Sequence, residues 1–153
     1  MSNLEDLYRE IILDHYRSPR NRGELPLPPA IRVEGFNPLC GDELVIYVDV
    51  HDGVLRDIKI TGHGCSISQS SSSLMSTAVK GKSLEQVRET IATFRQLMTV
   101  HEATLEHDGE PAMVDLRTLG ELAALQGVVR FPVRIKCAML AWNTLIQGLN
   151  ELG

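Results

Sequence analysis

An Asp-Gly pair, Asp52-Gly53, separates two segments that are rich in β-forming residues, 43–50 and 54–61. Asp-Gly between two such segments is a strong signal for a tight hairpin, so the segments are predicted to be antiparallel neighbours in a sheet. The alternating segment 30–36 predicts a third strand just before them. The central part of the chain is therefore expected to form a small antiparallel sheet.

Helical patterns lie before and after these three strands, with apolar residues at helical spacing and glycine or proline near the ends. Ser83 and Gln86 form a capping box at the start of one helix. The polar segment 101–114 predicts a loop. The predicted helices cover residues 3–17, 66–80, 84–98, 116–125 and 132–150.

This order of elements predicts an α+β fold, in which helices pack on one face of a small three-stranded antiparallel sheet. The chain has 153 residues, a length that suits a single domain spanning 1–153. At this length a fold buries enough surface to be stable without disulfides or other covalent staples.

The charge and the apolar content argue against several function classes. A net charge of −5 and a pI of about 5.5 argue against general affinity for nucleic acid. No apolar run approaches the roughly 20 residues of a membrane span, and the acidic N-terminal stretch lacks the pattern of a signal peptide. We therefore expect a cytoplasmic protein, with neither nucleic acid nor a membrane among its partners.

The three cysteines, Cys40, Cys65 and Cys137, are far apart in the sequence. Such an odd, small number argues against a disulfide framework. A lone cysteine is ordinarily a small buried apolar residue. Here Cys40 lies between the first two predicted strands and Cys65 between the third strand and a helix, and the ends of elements commonly display functional groups.

Cys40 and Asp42 are two residues apart, and such positions face the same way in an extended backbone. Gly41 between them allows a bound group to approach the backbone closely. A thiolate and a carboxylate that converge across a glycine form a plausible half-site for a metal. The alternative is that Asp42 only caps or turns the start of its strand.

Cys65 would face the N-terminal end of a helix, where free backbone N–H groups and the helix dipole favour a thiolate. Gly62 and Gly64 leave space around it, and His63 is a further candidate ligand. The alternative is a glycine-rich turn with an incidental buried cysteine.

Three cysteines and one aspartate match a four-coordinate tetrahedral zinc site. Lys136 and Arg134 are close in sequence to Cys137, and both are candidates for offsetting the negative charge of such a site. The carboxylate of Asp42 is the hardest and most replaceable ligand of the set, so it would let the site open to a partner. The spacing alone contains no CxxC pair and is not a specific metal signature.

Four segments of the chain resemble the motifs of the IscU/SufU family of iron–sulfur assembly proteins, and the resemblance covers nearly the whole length. The segments are 7–21 (LYREIILDHYRSPRN), 37–42 (NPLCGD), 62–72 (GHGCSISQSSS) and 134–142 (RIKCAMLAW). The resemblance implies a metal site at Cys40, Asp42, Cys65 and Cys137, and it implies a small antiparallel sheet covered by helices.

Two features are similar to the SufU branch rather than the IscU branch. IscU-type proteins carry a histidine just before the third cysteine, where this chain has Lys136, and they have a shorter segment between the second and third cysteines. The extra length here lies near 95–125. The IscU chaperone-recognition motif is also altered, to FPVR at 131–134, so a chaperone partner is not expected.

The resemblance to the SufU branch implies a zinc-bound sulfur carrier rather than a self-sufficient enzyme. A cysteine desulfurase would displace Cys40 from the zinc, and the freed thiolate would carry persulfide sulfur to downstream iron–sulfur assembly or acceptor proteins. One alternative is a scaffold on which the same residues hold a [2Fe–2S] cluster. A second alternative is a zinc-stabilised interaction module without sulfur chemistry.

Overall fold

The computed structural model describes residues 4–27, 29–38, 41–106 and 120–151. Its elements follow the predicted order of a helix, three strands and then helices. They are α1 (Leu4–Arg17), β1 (Ile31–Asn37), β2 (Asp42–His51), β3 (Val54–His63), α2 (Ser66–Val79), α3 (Leu84–Glu106), a 3₁₀ helix (Gly120–Arg130) and α4 (Pro132–Glu151).

The three strands form one antiparallel sheet in the order β1-β2-β3. The predicted hairpin joins β2 to β3. Asp52 has φ 51° and Gly53 has φ 74°, and two consecutive left-handed residues are what a tight two-residue turn of this kind requires. The local turn chemistry therefore sets which strands are neighbours.

One face of the sheet is apolar and carries the helices. Val33 pairs with Ile46, and Ile46 pairs with Ile60, and all three side chains are buried. On the other face, Arg32 pairs with Tyr47, which pairs with Lys59. The predicted fold class, a three-stranded antiparallel sheet with helices packed on one face, is confirmed.

Helix α4 lies very close to β1. A side chain at Gly35 of β1 would collide with Thr144 of α4. A side chain at Gly148 of α4 would likewise meet Val33 of β1. These two close contacts fix the position of α4 along the strand, so the first turns of the helix lie beside the end of β1.

Helix α2 is enclosed between α1, α4 and the sheet, and its four consecutive serines, 70–73, are buried. The Ser71 hydroxyl donates to the Ala138 carbonyl at 2.6 Å and accepts from the Trp142 indole N–H at 3.0 Å. The sequence predicted a helix here but not its burial. These bonds tie α2 to α4, and each of these helices carries a cysteine near its start.

The second half of the chain differs in part from its prediction. The capping box is present, since Ser83 and Gln86 exchange side-chain to backbone hydrogen bonds at 3.1 Å. Helix α3 then continues to Glu106, so the prediction of a loop over 101–106 was wrong. No glycine or proline interrupts that stretch, and a polar sequence does not stop an amphipathic helix. Residues 107–119 lie outside the described residues, including part of the predicted helix 116–125.

No helix in the described part of the chain is long and apolar enough to cross a membrane.

Candidate metal centre

Asp42, Cys65 and Cys137 converge at one end of the sheet. Their ligand atoms, one carboxylate oxygen and two sulfurs, all lie within 4.8 Å of one another. Asp42 is the first residue of β2, Cys65 immediately precedes α2, and Cys137 lies in the second turn of α4. Three elements that are distant in sequence thus bring together two thiols and a carboxylate.

Cys65 is the N-cap residue of α2. Its backbone is extended, with φ −71° and ψ 170°, and its sulfur accepts a hydrogen bond from the Ser68 backbone N–H at 3.4 Å. A thiolate at this position faces the unpaired N–H groups and the positive end of the helix dipole. The Cys65 sulfur is therefore held at the start of α2 by a backbone donor, on the side that faces Asp42.

Asp42 is fully buried, and its two carboxylate oxygens face different partners. Oδ1 accepts the backbone N–H of Cys65 at 2.8 Å, and Oδ2 lies 4.0 Å from the Cys65 sulfur. A side chain at Gly64 would come within 2.5 Å of Oδ1, so a glycine is needed there. Asp42 therefore holds the loop before α2 with one oxygen and faces the Cys65 sulfur with the other.

Cys137 is fully buried, and polar groups of β1 and α4 lie beside its sulfur. The Asn37 side-chain amide points its Nδ2 at the sulfur across 3.9 Å, and the Val133 carbonyl oxygen lies 3.6 Å away. Asn37 is itself buried at the end of β1. Its amide is a positioned donor for the thiolate form of Cys137, a role that sequence reasoning missed although Asn37 opens the 37–42 motif.

Asn37 also closes the loop between β1 and β2. Its carbonyl oxygen accepts the backbone N–H of Gly41 at 2.8 Å, and Gly41 has φ 69°. Cys40 falls in this loop but lies outside the described residues. Its place as a ligand therefore stays a prediction.

The donor set fits zinc. Thiolates and a carboxylate are common zinc ligands, and two sulfurs on one tetrahedral zinc would lie about 3.8 Å apart. The observed separations, up to 4.8 Å, exceed this by about 1 Å at most. The three atoms are therefore close enough together for these residues to be ligands of one ion.

The other residues considered for the site lie outside this cluster. The His63 side chain is 74% exposed and lies 3.3 Å from Glu43, its partner on the helix-free face of the sheet. His63 is therefore not among the ligands that the described residues bring together. Arg134 and Lys136 are exposed in the first turns of α4. Their role in offsetting the negative charge of the metal centre stays a prediction.

The matching family model is the NifU-like N-terminal domain, which matches residues 7–138. The chain belongs to this family, whose match includes Cys40, Asp42, Cys65 and Cys137. The resemblance of the sequence motifs to the IscU/SufU family is therefore confirmed.

The relatives divide between two descriptions. The zinc-dependent sulfurtransferase SufU of Bacillus subtilis (strain 168) is 40% identical, over 98% of this chain and 94% of that protein. The iron–sulfur cluster assembly scaffold protein IscU of Streptococcus pyogenes serotype M1 is 36% identical, over 99% of this chain and 87% of that protein.

A solved structure shows the same fold. It belongs to a candidate scaffold protein for iron–sulfur cluster assembly in the SUF system of Fervidobacterium islandicum AW-1. The TM-score is 0.77 at 29% sequence identity, and the match covers 94% of this chain and 96% of that one.

Proposed function

We propose that this protein is a zinc-bound sulfur acceptor in iron–sulfur cluster assembly, which takes persulfide sulfur from a cysteine desulfurase and passes it on. The observation that carries the proposal is the convergence of Asp42, Cys65 and Cys137 within 4.8 Å. The full-length similarity to a zinc-dependent sulfurtransferase supports it. The proposed compartment is the cytoplasm, where thiols stay reduced.

The proposed ligands are Cys40, Asp42, Cys65 and Cys137. Bound zinc would keep the cysteines as thiolates, so that a released ligand is already a nucleophile. Arg134 and Lys136, exposed beside Cys137, are proposed to offset the negative charge of the site.

Cys40 is the proposed sulfur-accepting residue, because the other two cysteines are anchored. Cys65 caps α2, and Cys137 is fully buried beside Asn37. The Cys40 thiolate attacks the outer sulfur of the desulfurase persulfide. A new S–S bond forms on Cys40, the S–S bond on the desulfurase breaks, and the desulfurase cysteine leaves as a thiolate. The Cys40 persulfide then passes its sulfur to a downstream assembly or acceptor protein.

Stimulation of a cysteine desulfurase tests this assignment. The Cys40→Ala variant is expected to fold and to lose the stimulation that the wild-type protein gives. Thr77→Ala is a matched control, since Thr77 is exposed on α2 and its hydroxyl donates to the Leu74 carbonyl within that helix. Normal stimulation by Cys40→Ala would show that another group accepts the sulfur.

A second candidate function is a scaffold for [2Fe–2S] assembly. The same thiolate-rich donor set suits such a cluster, and the similarity to a protein named as a scaffold favours it. Anaerobic purification followed by metal analysis and visible absorbance separates the two. Zinc at one per chain without a visible band supports the sulfur acceptor, whereas iron and sulfide with a brown colour support the scaffold.

A further inference from the structure

Residues 21–23 lie along the outer edge of β3 and are joined to it by an isolated β-bridge. Arg22 pairs with Ile60 in a parallel bridge. The Ile60 N–H donates to the Asn21 carbonyl at 2.9 Å, and the Gly23 N–H donates to the Ile60 carbonyl at 3.2 Å. The backbone of Arg22 is therefore held against β3 by bonds that do not involve its side chain.

The Arg22 guanidinium spans the loop that carries Cys65. Nη2 donates to the Gly62 carbonyl oxygen at 2.6 Å, and Nη1 donates to Oε1 of Gln69 at 2.9 Å. Gly62 is near the end of β3, and Gln69 is in the first turn of α2, where its N–H donates to the Cys65 carbonyl at 3.0 Å. The two acceptors lie on either side of Cys65 in the chain.

The inner side of the same loop is packed against β2. Gly62 has φ 132°, and a side chain there would collide with the backbone of Glu43. Gly64 lies against the Asp42 carboxylate, which accepts the Cys65 N–H. Asp42 and β2 thus support the loop from within, and Arg22 is bonded to it from the solvent side.

We propose that Arg22 is a positioning residue for the metal centre, which fixes the 62–65 loop so that Cys65 stays in place as a ligand. The proposal rests on the proposed metal site. A guanidinium is needed because its planar fork reaches two acceptors at once, whereas a lysine ammonium is a point donor on a flexible stem. Arg22 is proposed to act through the loop, and this role does not require a contact between Arg22 and a sulfur atom.

The test compares zinc-loaded full-length variants without any desulfurase present. The rate of zinc release into the chelating dye 4-(2-pyridylazo)resorcinol is measured for wild type, Arg22→Gln and Arg22→Lys. Loss of a supporting contact is expected to raise the rate about tenfold in Arg22→Gln and by less in Arg22→Lys. Hydrogen exchange of the Cys65 amide, measured with and without zinc, is expected to speed up in the same order.

Arg56→Gln is the matched control. Arg56 is also an exposed arginine, on β3, and it binds Asp49 at 2.8 Å. Wild-type zinc release and Cys65 exchange are expected for this variant. Wild-type values in Arg22→Gln would overturn the proposal, and so would equal changes in Arg22→Gln and Arg56→Gln, which would indicate a general charge effect.

Different results would refute the proposed function and the proposed role of Arg22. A wild-type protein that holds zinc but accepts no sulfur refutes the proposed function and leaves the release rates as the test of Arg22. A wild-type protein that holds no zinc refutes the metal site, and with it the proposed role of Arg22 in keeping a ligand in place.

Discussion

The carboxylate of Asp42 accepts the backbone N–H of Cys65 across 2.8 Å, so two proposed ligands of the metal centre are joined directly. Both are also neighbours of Cys137, whose sulfur lies within 4.8 Å of their ligand atoms. Since Asp42 begins β2 and Cys65 begins α2, this bond fixes the helix against the sheet at the site. The site is therefore part of the packing of the fold.

Replacing Asp42 with cysteine is expected to tighten zinc binding and to reduce sulfur acceptance. A fourth thiolate makes the site wholly soft and closed, and it removes the most replaceable ligand. Zinc affinity by chelator competition and stimulation of a desulfurase measure the two effects. Full stimulation by Asp42→Cys would show that sulfur acceptance does not depend on a replaceable carboxylate ligand.

Removal of zinc is expected to lower the thermal stability of the protein. A metal present at 100 times its dissociation constant stabilises the folded state by about 2.7 kcal/mol. For a domain of this size that corresponds to roughly 5–10 °C in Tm. Calorimetry with and without a chelator measures the shift, and a Cys137→Ser variant should lose most of it. A wild-type Tm that the chelator leaves unchanged contradicts the metal site.

The Asn37→Ala variant is expected to bind zinc about tenfold more weakly, because it removes the amide that faces the Cys137 sulfur. Competition with a chelating dye gives the affinity. Asn143→Ala is a suitable control, since Asn143 is exposed on α4 and its amide oxygen accepts from Arg95. Equal affinities for wild type and Asn37→Ala would mean that the 3.9 Å contact does not support the site.

His15 joins three helices, and its replacement is expected to destabilise the fold. Its Nδ1 lies 2.7 Å from the Ser73 hydroxyl, and its Nε2 lies 3.1 Å from Oε2 of Glu121. The Glu121 carboxylate can only accept, so Nε2 carries the ring hydrogen, and Nδ1 of the neutral ring accepts the Ser73 O–H, while Ser73 itself accepts the Arg20 N–H. The Nε2–H then donates to Glu121.

The expected cost of His15→Ala is about 1–3 kcal/mol, because the buried Ser73 hydroxyl loses a partner. Urea unfolding measures it. Glu121→Ala should cost less, since the Glu121 side chain is 63% exposed. Equal stabilities of the two variants would show that the bond to Ser73 contributes no more to the free energy of unfolding than the bond to Glu121 does.

The strands and the helix starts were predictable because their signals are local. Asp52-Gly53 specifies its own turn, and the Ser83 and Gln86 pair specifies its own cap. The burial of the serines in α2 was not predictable. Their partners are remote in sequence, as with Ser71 and Trp142, and a serine carries no apolar signal of burial.

The candidate site was predictable only in part, because some of its residues carry local sequence signals and others do not. Cys65 and Asp42 follow from element ends and the glycines beside them. Cys137 reaches the site only through the packing of α4 against β1, which no local pattern reports. Arg22 could not be singled out, because the sequence does not show that segment 21–23 pairs with β3.

Transfer of sulfur to the protein tests the central claim most directly. Zinc-loaded wild type and Cys40→Ser are each incubated with a cysteine desulfurase and radiolabelled cysteine, and the sulfur bound to the chain is counted without reductant. We expect reductant-sensitive label on wild type and none on Cys40→Ser. The absence of label on wild type, or equal label on both proteins, would contradict the central claim.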